Sequence, residues 1–214
     1  MEICPRDFKG DNEMKVDVLY EAGYFEALLG LSLSYEQPLE KMVTVAAKLA
    51  HKDCGHNKFL ESIAVWLDIT AARYWWQQFD TYRVGVSKQS GSTMHTVLHR
   101  ALTQDDFEQP IAQQILVRLN ELISGKYFEL VKNELPEGFL QRRIVCTNYK
   151  VLRHIITQRE SHRLKEWHTF CDAVRAQIEY PGFLPRPISL ETPQGGLQRE
   201  SSQRIEVRYP IHSE

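Results

Sequence analysis

Residues 63–81 read IAVWLDITAARYWWQQFDT, and a change of period inside this stretch decides the fold class. Ile63, Val65, Leu67 and Ile69 alternate with Ala64, Trp66, Asp68 and Thr70, the pattern of a strand with one buried face. From Ala71 to Thr81 the alternation stops, and Tyr74, Trp75, Trp76 and Phe79 fall at helical spacing. A strand handing over directly to a helix, with long helices elsewhere in the same chain, implies a mixed fold of the α/β (α+β) class.

Upstream, Met14–Tyr20 (MKVDVLY) alternates Val16, Val18 and Tyr20 with charged neighbours and reads as a second half-buried strand. Ser34 is placed to cap a helix running through Ala50, with Leu39, Met42, Val43, Ala46 and Leu49 at helical spacing. His51–Lys58 breaks that helix around Gly55. Downstream, Gly85–Ser92 (GVSKQSGS) reads as a loop rich in hydroxyls and backbone donors. Pro110 opens a helix carrying Ile111, Ile115, Leu119 and Leu122 and ending near Gly125. The longest helical period runs from about Val145 to Glu179, where Pro181-Gly182 stops it. In its second half Leu164, Trp167, Cys171, Val174 and Ile178 share one face. The expected organisation is an extension over 1–13, a domain over 14–184 and a polar tail over 185–214, whose one ordered candidate is Arg204–Tyr209.

Composition bounds the function. At 214 residues, 43% hydrophobic and 25% charged, the chain can bury a real core. A net charge of −2 argues against a dedicated nucleic-acid binder, which needs a basic face for phosphates. No apolar run reaches membrane-spanning length, so no membrane partner is expected. Cys4, Cys54, Cys146 and Cys171 are scattered and nothing at the N-terminus resembles a signal peptide, which fits reduced thiols in a cytoplasm.

Four clusters carry chemistry, each with a plain structural alternative. His51, Cys54 and His56 are soft ligands, as are His168 and Cys171, but no paired CxxC or HxxxH completes a metal site, and none is expected. Tyr74, Trp75, Trp76, Phe79 and Tyr82 suit a core, a subunit contact or a stacking surface for a flat cofactor. Arg83 followed by the 85–92 loop suits a phosphate, or is an ordinary polar turn; neither GxGxxG nor GxxxxGK[ST] is present. Lys150, Arg153, His154, Arg159, His162 and Arg163 either converge on an anionic ligand or form a solvated helix face. Cys146 and Cys171 lie within helical apolar patterns and read as core.

Taken in chain order, these clusters resemble the flavin-dependent thymidylate synthases. Met14–Leu19 matches the family's opening strand. Gly55-His56-Asn57-Lys58-Phe59-Leu60-Glu61-Ser62 is similar to its Gly-His element before a strand, with Ser62 where the family has His. Gln78-Phe79-Asp80-Thr81-Tyr82-Arg83 and the loop to Ser92 follow the family's Arg-His-Arg…Ser signature, with Thr81 and Tyr82 at its first two positions and Met94 where an arginine stands near the nucleotide phosphate. Asn148, Lys150, Leu152, Arg159 and His162 resemble its downstream motif.

The resemblance implies a homotetramer that binds FAD, dUMP or a related uridine nucleotide, and methylenetetrahydrofolate, with NADPH as reductant. It implies an FAD site at His56, Arg83, Asn148, Lys150, His154 and His162. Gln78, Ser87, Lys88, Ser92 and Arg159 would hold the nucleotide, with Arg159 and Ser92 at the chemistry. The implied activity is one-carbon transfer to uridylate C5, as methylation or hydroxymethylation. The alternative is a non-catalytic relative that binds a nucleotide or a protein.

Overall fold

The computed structural model describes residues 13–52 and 55–186. Residues 1–12, Cys54 and the tail from 187, with its Arg204–Tyr209 candidate, lie outside the described residues.

The sheet has the order β1-β2-β4-β3, every neighbouring pair antiparallel. Its strands are β1 (Lys15–Ala22), β2 (Ala64–Ala72), β3 (Ser87–Ser90) and β4 (Leu140–Asn148). β2 is central, and Ile63, Val65, Leu67 and Ile69 are fully buried while Ala64, Trp66 and Asp68 stay half-exposed, as the alternation requires. On β1 the alternation holds at Val16 and then slips. Val18 pairs with Leu67 and Tyr20 with Trp66, so Leu19 is an extra residue. The bulge turns Tyr20 out to solvent (64% exposed), where its ring meets Trp66 at 5.9 Å.

Helices α1 (Tyr24–Tyr35) and α2 (Leu39–Leu49) pack together at one end. The expected single helix from Ser34 is therefore corrected: Ser34 lies in the last turn of α1, and Pro38 precedes α2. The α1 sequence YFEALLGLSLSY is apolar on all sides and has no clean stripe, so its period is weak. α3 (Arg73–Phe79) follows β2 directly, and Trp75, Trp76 and Phe79 are fully buried with Trp167 and Phe170. The aromatic run is the chain's own core, so it gives no argument for a subunit contact.

The expected loop at 85–92 contains β3, which pairs with β4 at Ser87↔Cys146 and Ser90↔Arg143. Short α4 (Thr93–Thr96), α5 (Gln113–Ser124) and α6 (Phe128–Glu134) close a second apolar cluster around Phe107, Leu119 and Val131. α5 ends at Gly125 as expected, but starts three residues after Pro110, at Gln113. The expected helix over 145–179 is three elements: the end of β4, α7 (Tyr149–Arg159) and α8 (Lys165–Gln177). Cys146 consequently sits half-buried on a strand rather than in a helix. Gln177 of α8 covers the β1 edge, its Oε1 accepting the Val18 N–H at 3.0 Å and its Nε2 donating to the Val16 carbonyl at 2.7 Å.

Candidate functional site

The site grows from the junction of α3, α7 and α8. The buried aromatic side of α3 leaves Gln78 half-buried at its C-terminal end. Asn148 starts α7 by accepting the Val151 N–H on Oδ1 at 3.0 Å. Leu152, Ile155 and Ile156 then bury one side of α7, which leaves Arg159 at the helix end facing Tyr82 and Trp167.

Arg159 is tightly held. Its guanidinium lies 4.8 Å from the centre of the Trp167 ring and 5.5 Å from that of Tyr82. Nε donates to the Tyr82 hydroxyl at 2.8 Å and Nη1 reaches Gln78 Oε1 at 3.5 Å. The same Oε1 accepts the Trp167 indole N–H at 2.9 Å, and Tyr82 donates onward to Gln158 Oε1 at 2.9 Å. His162 stands at the rim, its ring 6.3 Å from Trp167, with Nδ1 accepting the Leu164 N–H at 3.2 Å. Burial, then the charges of Arg159, Arg163 and His168, hold its pKa below the ordinary histidine value. The neutral ring therefore adds no positive charge beside Arg159 near neutral pH.

Two further groups flank this centre. Lys150 pairs with Glu61, and His56 lies with Glu61 along a groove of about 630 Å³ between α1, α2 and residues 55–62. His154 is exposed, its ring centre 6.1 Å from that of Tyr82 in an edge-on arrangement. Arg83 is exposed and makes no hydrogen bond or ion pair among the described residues. On the other side Asp80 binds Lys88 at 2.8 Å and Arg143 at 3.0 Å. Burial pushes the Asp80 carboxyl up, but the hydrogen bonds and charges of Lys88 and Arg143 outweigh it and hold it below its usual value.

The structure thus brings Gln78 and Arg159 into one cage, pairs Lys150 with Glu61, and lines one groove with His56 and Glu61. Lys88 is committed to Asp80 and to the Phe79 ring, 5.6 Å away. Ser87 is exposed on β3. Ser92 precedes α4 and uses its carbonyl on the Thr96 N–H at 3.0 Å. The six basic residues expected on one helix are divided, because α7 ends at Arg159 and His162 and Arg163 lie in the turn before α8. Arg153 points instead to His51 Nδ1 at 3.2 Å, and His51 Nε2 lies 2.9 Å from the Gly182 carbonyl. No group of three His, Cys, Asp or Glu among the described residues is placed to hold a metal ion. Burial pushes the Cys171 thiol up to about 12, far from a nucleophilic thiolate.

Sequence reasoning missed Tyr82, Gln158 and Trp167 as members of the cage. Trp167 was legible only as an apolar residue on a helix face. The one local signal was Tyr82 standing four residues after Gln78.

The architecture places the chain in a class: its fold is that of the flavin-dependent thymidylate synthases. Two solved structures carry the likeness, both of the ThyX enzyme from Helicobacter pylori complexed with FAD and dUMP. One matches with a TM-score of 0.69 at 16% identity, covering 79% of this chain and 97% of the other. The second gives 0.68 at 17%, covering 80% and 97%. No family model matches the sequence, and no curated protein matches it.

Proposed function

We propose that residues 14–184 form a flavin- and nucleotide-binding domain that transfers a one-carbon unit from methylenetetrahydrofolate to C5 of dUMP or a related uridine nucleotide. NADPH is the reductant, and the working form is a cytoplasmic homotetramer with sites shared between subunits. The observation that carries this reading is Arg159, fixed over Trp167 by Tyr82 and Gln78 within a ThyX-like fold. A preorganised cation beside a pyrimidine stabilises the negative charge that grows on its carbonyl edge as C5 becomes nucleophilic. The likeness to two ThyX structures holding FAD and dUMP supports the choice of ligands.

The chain's donors fit an anionic flavin nucleotide. Arg83 has no competing partner among the described residues, and the Lys150–Glu61 pair is largely exposed, so it yields readily to a phosphate. Asn148 keeps its amide N–H groups for a ligand while Oδ1 caps α7. In this reading Arg83, Lys150 and Asn148 bind FAD, with His56, His154 and His162 beside it. Gln78, Ser87, Ser92 and Arg159 hold the nucleotide, with Lys88 drawn in only if it leaves Asp80. Bound FAD supplies the hydride; Arg159 steadies the base and His162, held neutral, adds no charge that would compete with it.

One observation favours a second reading, a non-catalytic nucleotide- or protein-binding relative. Thr81 and Tyr82 replace two cations of the family signature: Thr81, exposed, donates to the Gln78 carbonyl at 2.7 Å, and Tyr82 is buried and donates to Gln158. The test is NADPH oxidation by the FAD-loaded protein with dUMP and methylenetetrahydrofolate, followed by mass analysis of the nucleotide. A C5-methylated or C5-hydroxymethylated product is the expected result. Bound FAD with no modified nucleotide would favour the second reading.

A further inference from the structure

The cage around Arg159 has a polarity that its hydrogen bonds determine. The two ends of the Gln78 amide are chemically opposite, and their orientation follows from which partners can only donate. The Trp167 indole has a single N–H and no acceptor, and a guanidinium has donors alone. Both face the same atom, so that atom is Oε1: Trp167 donates to it at 2.9 Å and Arg159 Nη1 approaches it at 3.5 Å. The two N–H groups of Gln78 have no partner among the described residues. Tyr82 offers no acceptor either, because it takes the Arg159 Nε–H at 2.8 Å and spends its own proton on Gln158. What remains open around Gln78 and Arg159 is therefore a set of donors.

We propose that Trp167 is a positioning residue which makes this site select a pyrimidine with a carbonyl, not an amino group, at C4. The inference rests on the uridine-nucleotide reading above and deepens it. Trp167 is fully buried, so its N–H has no water to turn to if Gln78 flips. The indole thus holds the amide with its N–H groups outward. A C4 carbonyl accepts from these donors. A C4 amino group meets them with further N–H bonds and leaves buried donors unpaired, the situation in which sites reject a near-isostere strongly.

The experiment is calorimetric titration of the FAD-loaded protein with dUMP and with dCMP, in the wild type and in Trp167→Phe and Gln78→Glu. The wild type is expected to prefer dUMP by at least about a hundredfold. Trp167→Phe keeps a ring and loses the N–H, which leaves only the long Arg159 Nη1 contact at 3.5 Å to orient the amide, so the preference should fall below about tenfold. Gln78→Glu needs no core repacking and turns one donor end into an acceptor, so dCMP should gain on dUMP. Equal binding of dUMP and dCMP by the wild type overturns this inference and leaves the proposed function standing. Unchanged selectivity in both variants does the same. Bound FAD with neither nucleotide binding overturns the nucleotide half of the proposed function, and this inference with it.

Discussion

Arg159 packs on two rings, and the proposed function gives it a second, separable job in binding. Its guanidinium covers Trp167 and Tyr82 and donates to Tyr82, so Arg159→Ala should lower stability by about 1–2 kcal/mol, more than a solvated arginine would. The variant should still take up FAD and should lose turnover by about a hundredfold or more, as when one preorganised donor is removed. Lysine should recover this only in part, since it cannot stack and donate in parallel. Thermal melts and NADPH oxidation measured on the same preparations separate the two effects. Wild-type turnover in the alanine variant would remove Arg159 from the site. A second residue carries a pH signature. Glu108 is 6% exposed and its Oε2 has no partner. Burial, then the Glu166 charge, push its carboxyl up to about 7, with Glu13 adding and the Met14 N–H and Lys165 opposing. Between the ordinary carboxylate value and about 7 the folded state holds a proton that the unfolded state has released. Stability should therefore fall as pH rises through that window, by up to about 1.4 kcal/mol per pH unit, and level off above it. Glu108→Gln should flatten this part of the stability–pH curve. A wild-type curve already flat there would contradict the placement of Glu108.

Among the elements, the turn between α3 and β3 is set by a close approach. Gly85 has φ +70°, and a Cβ there would lie 2.9 Å from Val151 Cγ2 and 3.1 Å from Asn148 Nδ2. Gly85→Ala should cost about 1–3 kcal/mol from backbone strain, plus the displacement of α7's first turn. Because Arg83 and Asn148 flank this contact, FAD affinity should fall with it. A melt and a flavin titration of the variant check both, and an unchanged Tm would show that the turn relaxes freely. The strand-to-helix change at residues 63–81 was legible because β2 is central and buries one face, so its alternation is clean. β4 was not legible as a strand. Val145, Tyr149, Leu152 and Ile156 keep helical spacing across the junction at Asn148, so the period runs through the boundary. β3 (SKQS) has no apolar residue to alternate, since it is a short edge strand paired only with β4. The end of α7 carries no Gly or Pro. Motif order offers candidate site residues, but it does not show the Arg159 cage, because Tyr82 and Trp167 are 85 positions apart and meet only through packing.

At the scale of the molecule, the segment carrying Phe139 of the second apolar cluster is tied to α3 of the first, the Arg73 N–H bonding the Phe139 carbonyl and the Tyr74 N–H the Glu137 carbonyl, each at 3.1 Å. No helix among the described residues is long and apolar enough to cross a membrane. Phe25, Leu29 and Leu33 leave an apolar line on the outside of α1, 45–75% exposed, the kind of surface a subunit contact covers. The proposed tetramer should bury such surface, so light scattering at micromolar concentration should give a mass well above the 25.0 kDa of one chain. A stable monomer would contradict it. The central claim is that this ThyX-like fold is a flavin and uridine-nucleotide site, and titration of the purified protein with FAD tests it most directly. The expected result is quenching of flavin fluorescence that saturates at micromolar FAD, about −8 kcal/mol of binding free energy, and a further spectral change when dUMP is added. Flavin fluorescence unaltered at a hundredfold higher concentration would contradict the account.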